Sequence, residues 1–316
     1  MKLNNILRTI IGMILILVII YFLDINKTSQ ILKSINFNFF IYANIIVFIA
    51  CIVASYRFKL ILQLNEVLTS LLFQVKIYFE GLTVTNVLPI GHAGIDLWRL
   101  RKINQLTGMS YFNIIKCLLS DRISGFVGLA FISFLATVFI IFFFSNTVQV
   151  FNNYTFFEIG LFYIIFLLTI IACILVFILK IIIKLIKHIS ITNKTFLNLV
   201  FHFESSLQQS IYLRVFILSV LNNILVMISF YLCSLAVGLE ISLLTIFCLS
   251  LFIIIPSLLP FSILGFGPRE AGVISIFYFY GIGIEESFIC SLLFGLTLTI
   301  QGLIGSIFFI ISKEKI

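Results

Sequence analysis

Charge is what this sequence has least of. Asp, Glu, Lys and Arg together make up 10% of its 316 residues, against about 25% in a soluble domain. That shortage excludes a water-soluble globule, because there is too little polar surface to cover one. Histidine is also scarce, at three residues. The six cysteines (Cys51, Cys117, Cys173, Cys233, Cys248 and Cys290) fall one per hydrophobic segment, with no C-x-x-C pair. Neither a metal centre nor a disulfide framework is expected, and the cysteines read as small packing residues. The phosphate-loop pattern G-x-x-x-x-G-K-[ST] is missing, so the chain is not expected to hydrolyse ATP. No cofactor is expected.

What the sequence does have is hydrophobicity. Apolar residues make up 62% of the chain, and the mean hydropathy is +1.25. Runs long enough to cross a hydrocarbon core about 30 Å thick recur along it. Their backbone must be helical, because lipid offers no hydrogen-bond partners. The expected fold is an all-α polytopic membrane protein. Six segments read as full spans, roughly 7–23, 37–56, 123–144, 159–183, 212–237 and 287–311. The first follows Lys2 and Arg8 but has no small-residue cleavage site after it, so it reads as a retained span rather than a signal peptide.

The net charge of +8 points to membrane orientation, not to nucleic acid. Lys and Arg cluster at the N-terminus, in 57–76, 99–122 and 180–194, and at the C-terminus, all expected to be cytoplasmic. Residues 145–158, the loop near Glu240 and the pair Glu285-Glu286 lack basic residues and are expected to face outward. Lys27 and Lys33, set against Asp24, are an exception in the first outer loop. The reading is a multi-pass protein of the cell membrane with both termini in the cytoplasm. Amphipathic stretches 60–75 and 196–211 are expected to lie on the cytoplasmic surface.

Two apolar segments do not fit as simple spans: 77–99 and 243–281. All four prolines (Pro89, Pro256, Pro260 and Pro268) fall in them. Proline removes a helix hydrogen bond and clashes with the preceding turn, so each segment reads as a broken or re-entrant helix. The breaks resemble each other: Leu-Pro, a glycine turn, then a charged helix start. Loop charge places the ends of the first inside and those of the second outside. This gives an inverted repeat within a single transmembrane domain, 1–316, with halves of about 1–144 and 145–316. Discontinuous helices in an inverted repeat are a sequence pointer to a transporter's binding site. The alternative is a full span over 243–264 plus a short return helix, which gives about eight crossings.

Gly265-Phe266-Gly267-Pro268-Arg269-Glu270 is the most informative stretch. Proline favours the first helical turn, so a helix is expected to restart near Pro268. Its free N–H groups would form an anion cradle, and Arg269 would add a two-pronged donor. Neighbouring helix positions do not face each other, so Arg269 and Glu270 are expected to pair with separate partners: Glu80 or Asp96 for Arg269, and Arg99 for Glu270. A surface loop with an ordinary ion pair is the plainer reading. In the counterpart stretch, Trp98 suits a membrane interface, which would put Arg99, Arg101 and Lys102 at headgroup level. For Asp96 and Arg99, anchoring and binding are both open. His92 reads as a polar loop residue. Asp121 and Arg122 are either interface anchors or the inner wall of a vestibule. Asn222 and Asn223 are expected to bridge helices.

Asn86-x-x-Pro89, Gly94-Ile95-Asp96-x-x-Arg99, Asp121-Arg122, and Pro260 with Gly265 to Glu270 together resemble the flippase-like membrane family that also forms the membrane half of lysylphosphatidylglycerol synthases. The resemblance covers nearly the whole chain. It implies movement of a phospholipid, or of a polyprenyl-phosphate-linked sugar, between leaflets. Two positions depart from the family: Asp121 stands where Glu is commoner, and Pro268 where an aliphatic residue is commoner. The chain ends at Ile316, just past the last span, so the soluble aminoacyl-transfer domain is expected to be absent.

The expected function is therefore a non-enzymatic lipid flippase. Its substrate-binding residues would be Arg269, Glu270, Gly265, Gly267, Asp96, Arg99, Asn86, Glu80, Asp121 and Arg122. Glu80, Asp96 and Glu270 are candidate proton carriers. The partners would be a membrane lipid or lipid-linked substrate and a separate lipid or glycan biosynthesis enzyme. An intramembrane lipid-modifying transferase would want acids or a His–acid pair on extended outer loops, which are short here. A non-catalytic membrane scaffold would leave the charged break residues dispensable.

Overall fold

Long apolar runs become long helices in this computed structural model. It describes residues 21, 23–87, 93–144, 209–258 and 266–312. The expected spans 7–23 and 159–183 fall wholly or almost wholly outside these. So do residues 145–158, most of 196–211, and His92, Pro89, Pro260 and Gly265. Among the described residues there are nine α-helices: α1 (Ile25–Ser34), α2 (Phe37–Gln63), α3 (Leu71–Val87), α4 (Ala93–Thr107), α5 (Tyr111–Phe144), α6 (Gln209–Val237), α7 (Leu243–Ile254), α8 (Pro268–Tyr278) and α9 (Ile284–Ser312). A 3-10 turn at Ile255–Leu258 extends α7.

Four of these helices, α2, α5, α6 and α9, are long and apolar enough to cross a membrane. The chain is an all-α membrane protein. These four match the expected spans 37–56, 123–144, 212–237 and 287–311, but two run well past them. Helix α2 continues beyond Arg57 because Phe58, Leu60, Ile61 and Leu62 are all buried. That overturns 60–75 as an amphipathic surface stretch. The helix ends at Gln63, a turn carries Glu66 at φ 61°, and α3 begins at Leu71. Helix α5 starts at Tyr111, so Asp121 and Arg122 lie inside the helix, ahead of the expected span 123–144. Asp121 is about 15 Å along its axis.

The two proline-bearing segments give short helices. At 1.5 Å per residue, α3 and α4 are about 26 and 22 Å long, and α7 and α8 about 18 and 16 Å. Each falls short of the roughly 30 Å core. Helix α8 opens at Pro268, with Gly267 at its N-cap. There φ is 94°, a conformation that favours glycine. Glycine also lets each short pair close up. A Cβ on Gly94 would strike Thr85 of α3, and one on Gly272 would meet Phe252 of α7 and Pro256 of the 3-10 turn.

Both short pairs pack on α9, α3 from one pair and α8 from the other. Two cores result. One joins Met227 and Phe230 of α6, Leu249 and Ile253 of α7, Phe277 of α8 and Phe294 of α9. The other joins Phe58 and Leu62 of α2, Ile77 of α3, Trp98 and Ile103 of α4, Ile114 of α5 and Phe309 of α9. The five described cysteines are free and buried, in keeping with packing roles.

Helix α1 is tied down at its start. Asp24 caps it, accepting from the Asn26 and Lys27 N–H groups. Lys27 reaches across to α9, 3.1 Å from both Glu285 and Glu286. Its exceptional charge is thus matched by the two acids expected at the same end of the bundle. Their hydrogen bonds, Glu286 foremost, raise the Lys27 pKa above its ordinary value.

Candidate functional site

The first turn of α8 carries a charge pair that is sealed from solvent. Arg269 is 0% exposed and Glu270 1%. Arg269 Nη2 donates to Glu270 Oε1 at 2.7 Å, and its Nε lies 3.2 Å from the same oxygen. The other carboxylate oxygen accepts the Gly267 N–H at 2.6 Å. Ser291 of α9 donates to Glu270 Oε1 and accepts from Arg269 Nε. The Phe266 and Phe294 rings flank the guanidinium at 4.9 and 5.7 Å.

This arrangement corrects the expectation of separate partners. Side chains in a helix lean towards its N-terminus. In the first turn no earlier turn intervenes, so both long side chains gather at the free helix end and meet. Glu270 supplies one arm of a capping box. At this helix start the Gly267 N–H is taken by the chain's own Glu270 carboxylate, and Pro268 has no N–H to offer.

The candidate partners in the first half bond elsewhere. Glu80, fully buried, accepts from the Trp98 indole N–H at 2.8 Å and lies 3.7 Å from Lys76 Nζ. Trp98 is 4% exposed, so it is a buried donor and not an interface anchor. Arg101 and Lys102 cover its ring at 5.6 and 5.0 Å. Asp96 takes both Nε and Nη2 of Arg122, at 3.0 and 2.8 Å.

Arg99, 1% exposed, joins a cluster whose charges come from three helices and whose other contacts bring in two more. Asp121 of α5 accepts from Arg57 Nε of α2 at 2.8 Å and from Arg99 Nη1 of α4 at 3.4 Å. Arg57 Nη1 reaches Ser219 of α6 at 3.3 Å. Phe58 and Tyr78 hold the Arg99 guanidinium at 4.3 and 4.7 Å from their ring centres. Sequence reasoning missed Arg57, counting it only as a loop charge. The apolar run Phe58 to Leu62 was the signal that the helix, and burial, continued past it.

Asn86, near the end of α3, donates to the Thr299 carbonyl at 3.0 Å. Thr83 donates to the Gly302 carbonyl at 2.7 Å. Ser291, Gly295, Thr299, Gly302 and Gly305 recur three or four residues apart, so they form one face of α9. A Cβ at Gly295 would collide with Arg269 and Phe266, and one at Gly302 with Asn86. Asn86 and Arg269, one from each broken segment, therefore rest on successive turns of the same helix face. Asn223 bridges helices, donating to the Gly125 carbonyl at 2.9 Å.

The described site residues thus fall into five groups: Arg269, Glu270 and Gly267; Asn86; Arg99 and Asp121; Asp96 and Arg122; and Glu80, which is bonded to Trp98. Among the described residues no group of three or more His, Cys, Asp or Glu side chains could hold a metal ion.

Comparison with known proteins places the chain. No curated protein and no solved structure matches it. The family described as the lysylphosphatidylglycerol synthase TM region matches residues 5–305, which takes in both broken segments and every charged residue of these clusters. The protein belongs to the lysylphosphatidylglycerol synthase TM region family.

Proposed function

We propose that the protein is a flippase, moving a phospholipid or a polyprenyl-phosphate-linked lipid between leaflets. One observation carries this reading. A fully buried Arg269, at the N-terminus of a helix too short to span, shares one face of α9 with Asn86 from the other broken segment. A charge at the membrane centre costs about 3 kcal/mol, and transporters hold ions and headgroups where interrupted helices meet inside a bundle. The two segments are read as re-entrant halves of an inverted repeat with α9 between them. Membership of a family named for lipid synthases supports a lipid substrate. The chain itself moves the lipid without altering it covalently. A separate enzyme makes or consumes the substrate, and an ion gradient or downhill flux drives the exchange.

The test is reconstitution of the purified protein in vesicles carrying a fluorescent phosphatidylglycerol. An impermeant reductant quenches the outer leaflet only. Protein-dependent quenching beyond the outer-leaflet half is expected. Quenching that stops at half, with monodisperse protein and with phosphatidylethanolamine equally unmoved, would leave a scaffold for another membrane enzyme as the better reading.

A further inference from the structure

The cluster around Asp121 does not balance. Arg57 and Arg99 bring two positive charges to one carboxylate, while Arg122 is matched by Asp96. The excess falls on Arg99. Among the described residues its one acidic contact is the long one, 3.4 Å, through Nη1. Its Nε and Nη2 are buried and have no hydrogen-bond partner among the described residues. In a guanidinium the Nε–H and Nη2–H point the same way and form the edge that grips two oxygens of a phosphate or carboxylate. That edge is the part left without a partner among the described residues. The rest of the group is held: Asp121 takes Nη1, and Phe58 and Tyr78 cover it. A buried donor without a partner is costly, and a charged one more so. Water could satisfy the two N–H groups but not the net charge.

Resting on the translocation reading, we propose that Arg99 is the residue that binds the lipid's phosphate. Two phosphate oxygens accept from its Nε and Nη2, and the anion completes the charge of the cluster. Arg57 and Asp121 are positioning residues that hold the guanidinium edge-on. Asp96 and Arg122 mark the approach. Their side chains are 26% and 40% exposed, and Asp96 shares a face of α4 with Arg99, three residues away. The Arg269 guanidinium, by contrast, already holds Glu270.

The experiment measures thermal unfolding of the purified protein in a neutral maltoside detergent. The additions are inorganic phosphate, dioctanoyl phosphatidylglycerol, or dioctanoylglycerol, which has the same tails and no phosphate. Wild-type protein should be stabilised saturably by the phosphatidylglycerol and not by dioctanoylglycerol. A lipid effect at least tenfold stronger than that of inorganic phosphate identifies a headgroup site; equal effects identify a site for free phosphate. Arg99→Lys and Arg99→Gln should weaken binding at least tenfold, and Lys116→Gln should not. Asp121→Asn gives the opposite sign. With the competing carboxylate gone, phosphate should bind several-fold more tightly and restore the lost stability.

No phosphate-dependent response in the wild type overturns the proposal, as does unchanged affinity in Arg99→Lys. If neither Arg99 variant folds, Asp121→Asn decides: destabilisation that phosphate does not rescue means the cluster is structural only. Transport in vesicles without a phosphate response would sink this inference and leave translocation standing. A phosphate response without transport would do the reverse.

Discussion

Arg269 Nη2 lies 2.7 Å from Oε1 of Glu270, the next residue in the chain. Removing one member of a buried pair typically costs 3–5 kcal/mol, while replacing both by apolar groups is often neutral. Arg269→Ala and Glu270→Gln should therefore each lower the unfolding temperature in detergent, and Arg269→Met with Glu270→Met should recover most of the loss. Transport should fail in all three. A double variant that is stable and moves lipid at the wild-type rate would show that the pair only holds α8 in place.

Arg269→Lys is the sharper functional probe. One ammonium cannot contact Glu270, Ser291 and two aromatic rings as the planar guanidinium does. Transport is expected to fall at least tenfold while the protein stays folded, as read by vesicle assay and monodispersity. Wild-type rates in the lysine variant would reduce the arginine to a simple charge.

Gly295 lies where α9 meets the Arg269 guanidinium and the Phe266 ring. Overpacking a tight contact usually costs 1–3 kcal/mol. Gly295→Ala should destabilise by about that much and impair transport, because it pushes Arg269 off α9. Gly281→Ala, where a Cβ meets nothing within 4 Å but φ is 68°, should lower stability alone. A harmless Gly295→Ala would mean that the close approach is not needed.

Lys27 gives a pH dependence of known sign. Its raised pKa means that its bonds to Glu286 and Glu285 contribute stability fully below the ordinary value of 10.5, and that this is lost as pH rises through the higher folded value. Docking of α1 should thus be unaffected by Lys27 titration from neutral pH to about 10 and loosen beyond that. Because Lys27 is about half exposed, Lys27→Met should weaken docking by less than about 1 kcal/mol. Hydrogen exchange at Ile25–Ser34 reports it, and protection unchanged in Lys27→Met would show that the bridge adds nothing.

Orientation can be checked at positions set by charge alone. Single cysteines at Asn152 and Asn193, in a background without the six native cysteines, should label from opposite faces with an impermeant thiol reagent. Labelling from one face would remove the inverted-repeat interpretation.

Proline and glycine made the broken segments legible, because they act through the local backbone. Pro268 opens α8 where the sequence placed a helix start, and Gly267 takes the left-handed conformation before it. The apolar runs gave four spans for a similar reason: each run alone meets the length rule. Trp98 was misread because its burial depends on Glu80, eighteen residues away, and on Phe309 of α9. Arg57 was missed because an arginine at the end of an apolar run looks the same whether it meets water or Asp121. The pairing of Arg269 with Glu270 was missed because the rule that adjacent helix residues diverge holds along a helix and not at its first turn.

The spacing of these charges along the chain sets the order in which they can enter a bilayer. Arg57 must find Asp121 sixty-four residues later, so its charge waits for a helix not yet made. Arg269 meets its counter-ion one residue on, in the very turn that begins α8. A nascent segment carrying both reaches the membrane as a neutral dipole, already capped, before any other helix has packed against it. The fully buried arginine of α8 is therefore the one that needs least help from the rest of the fold to be inserted.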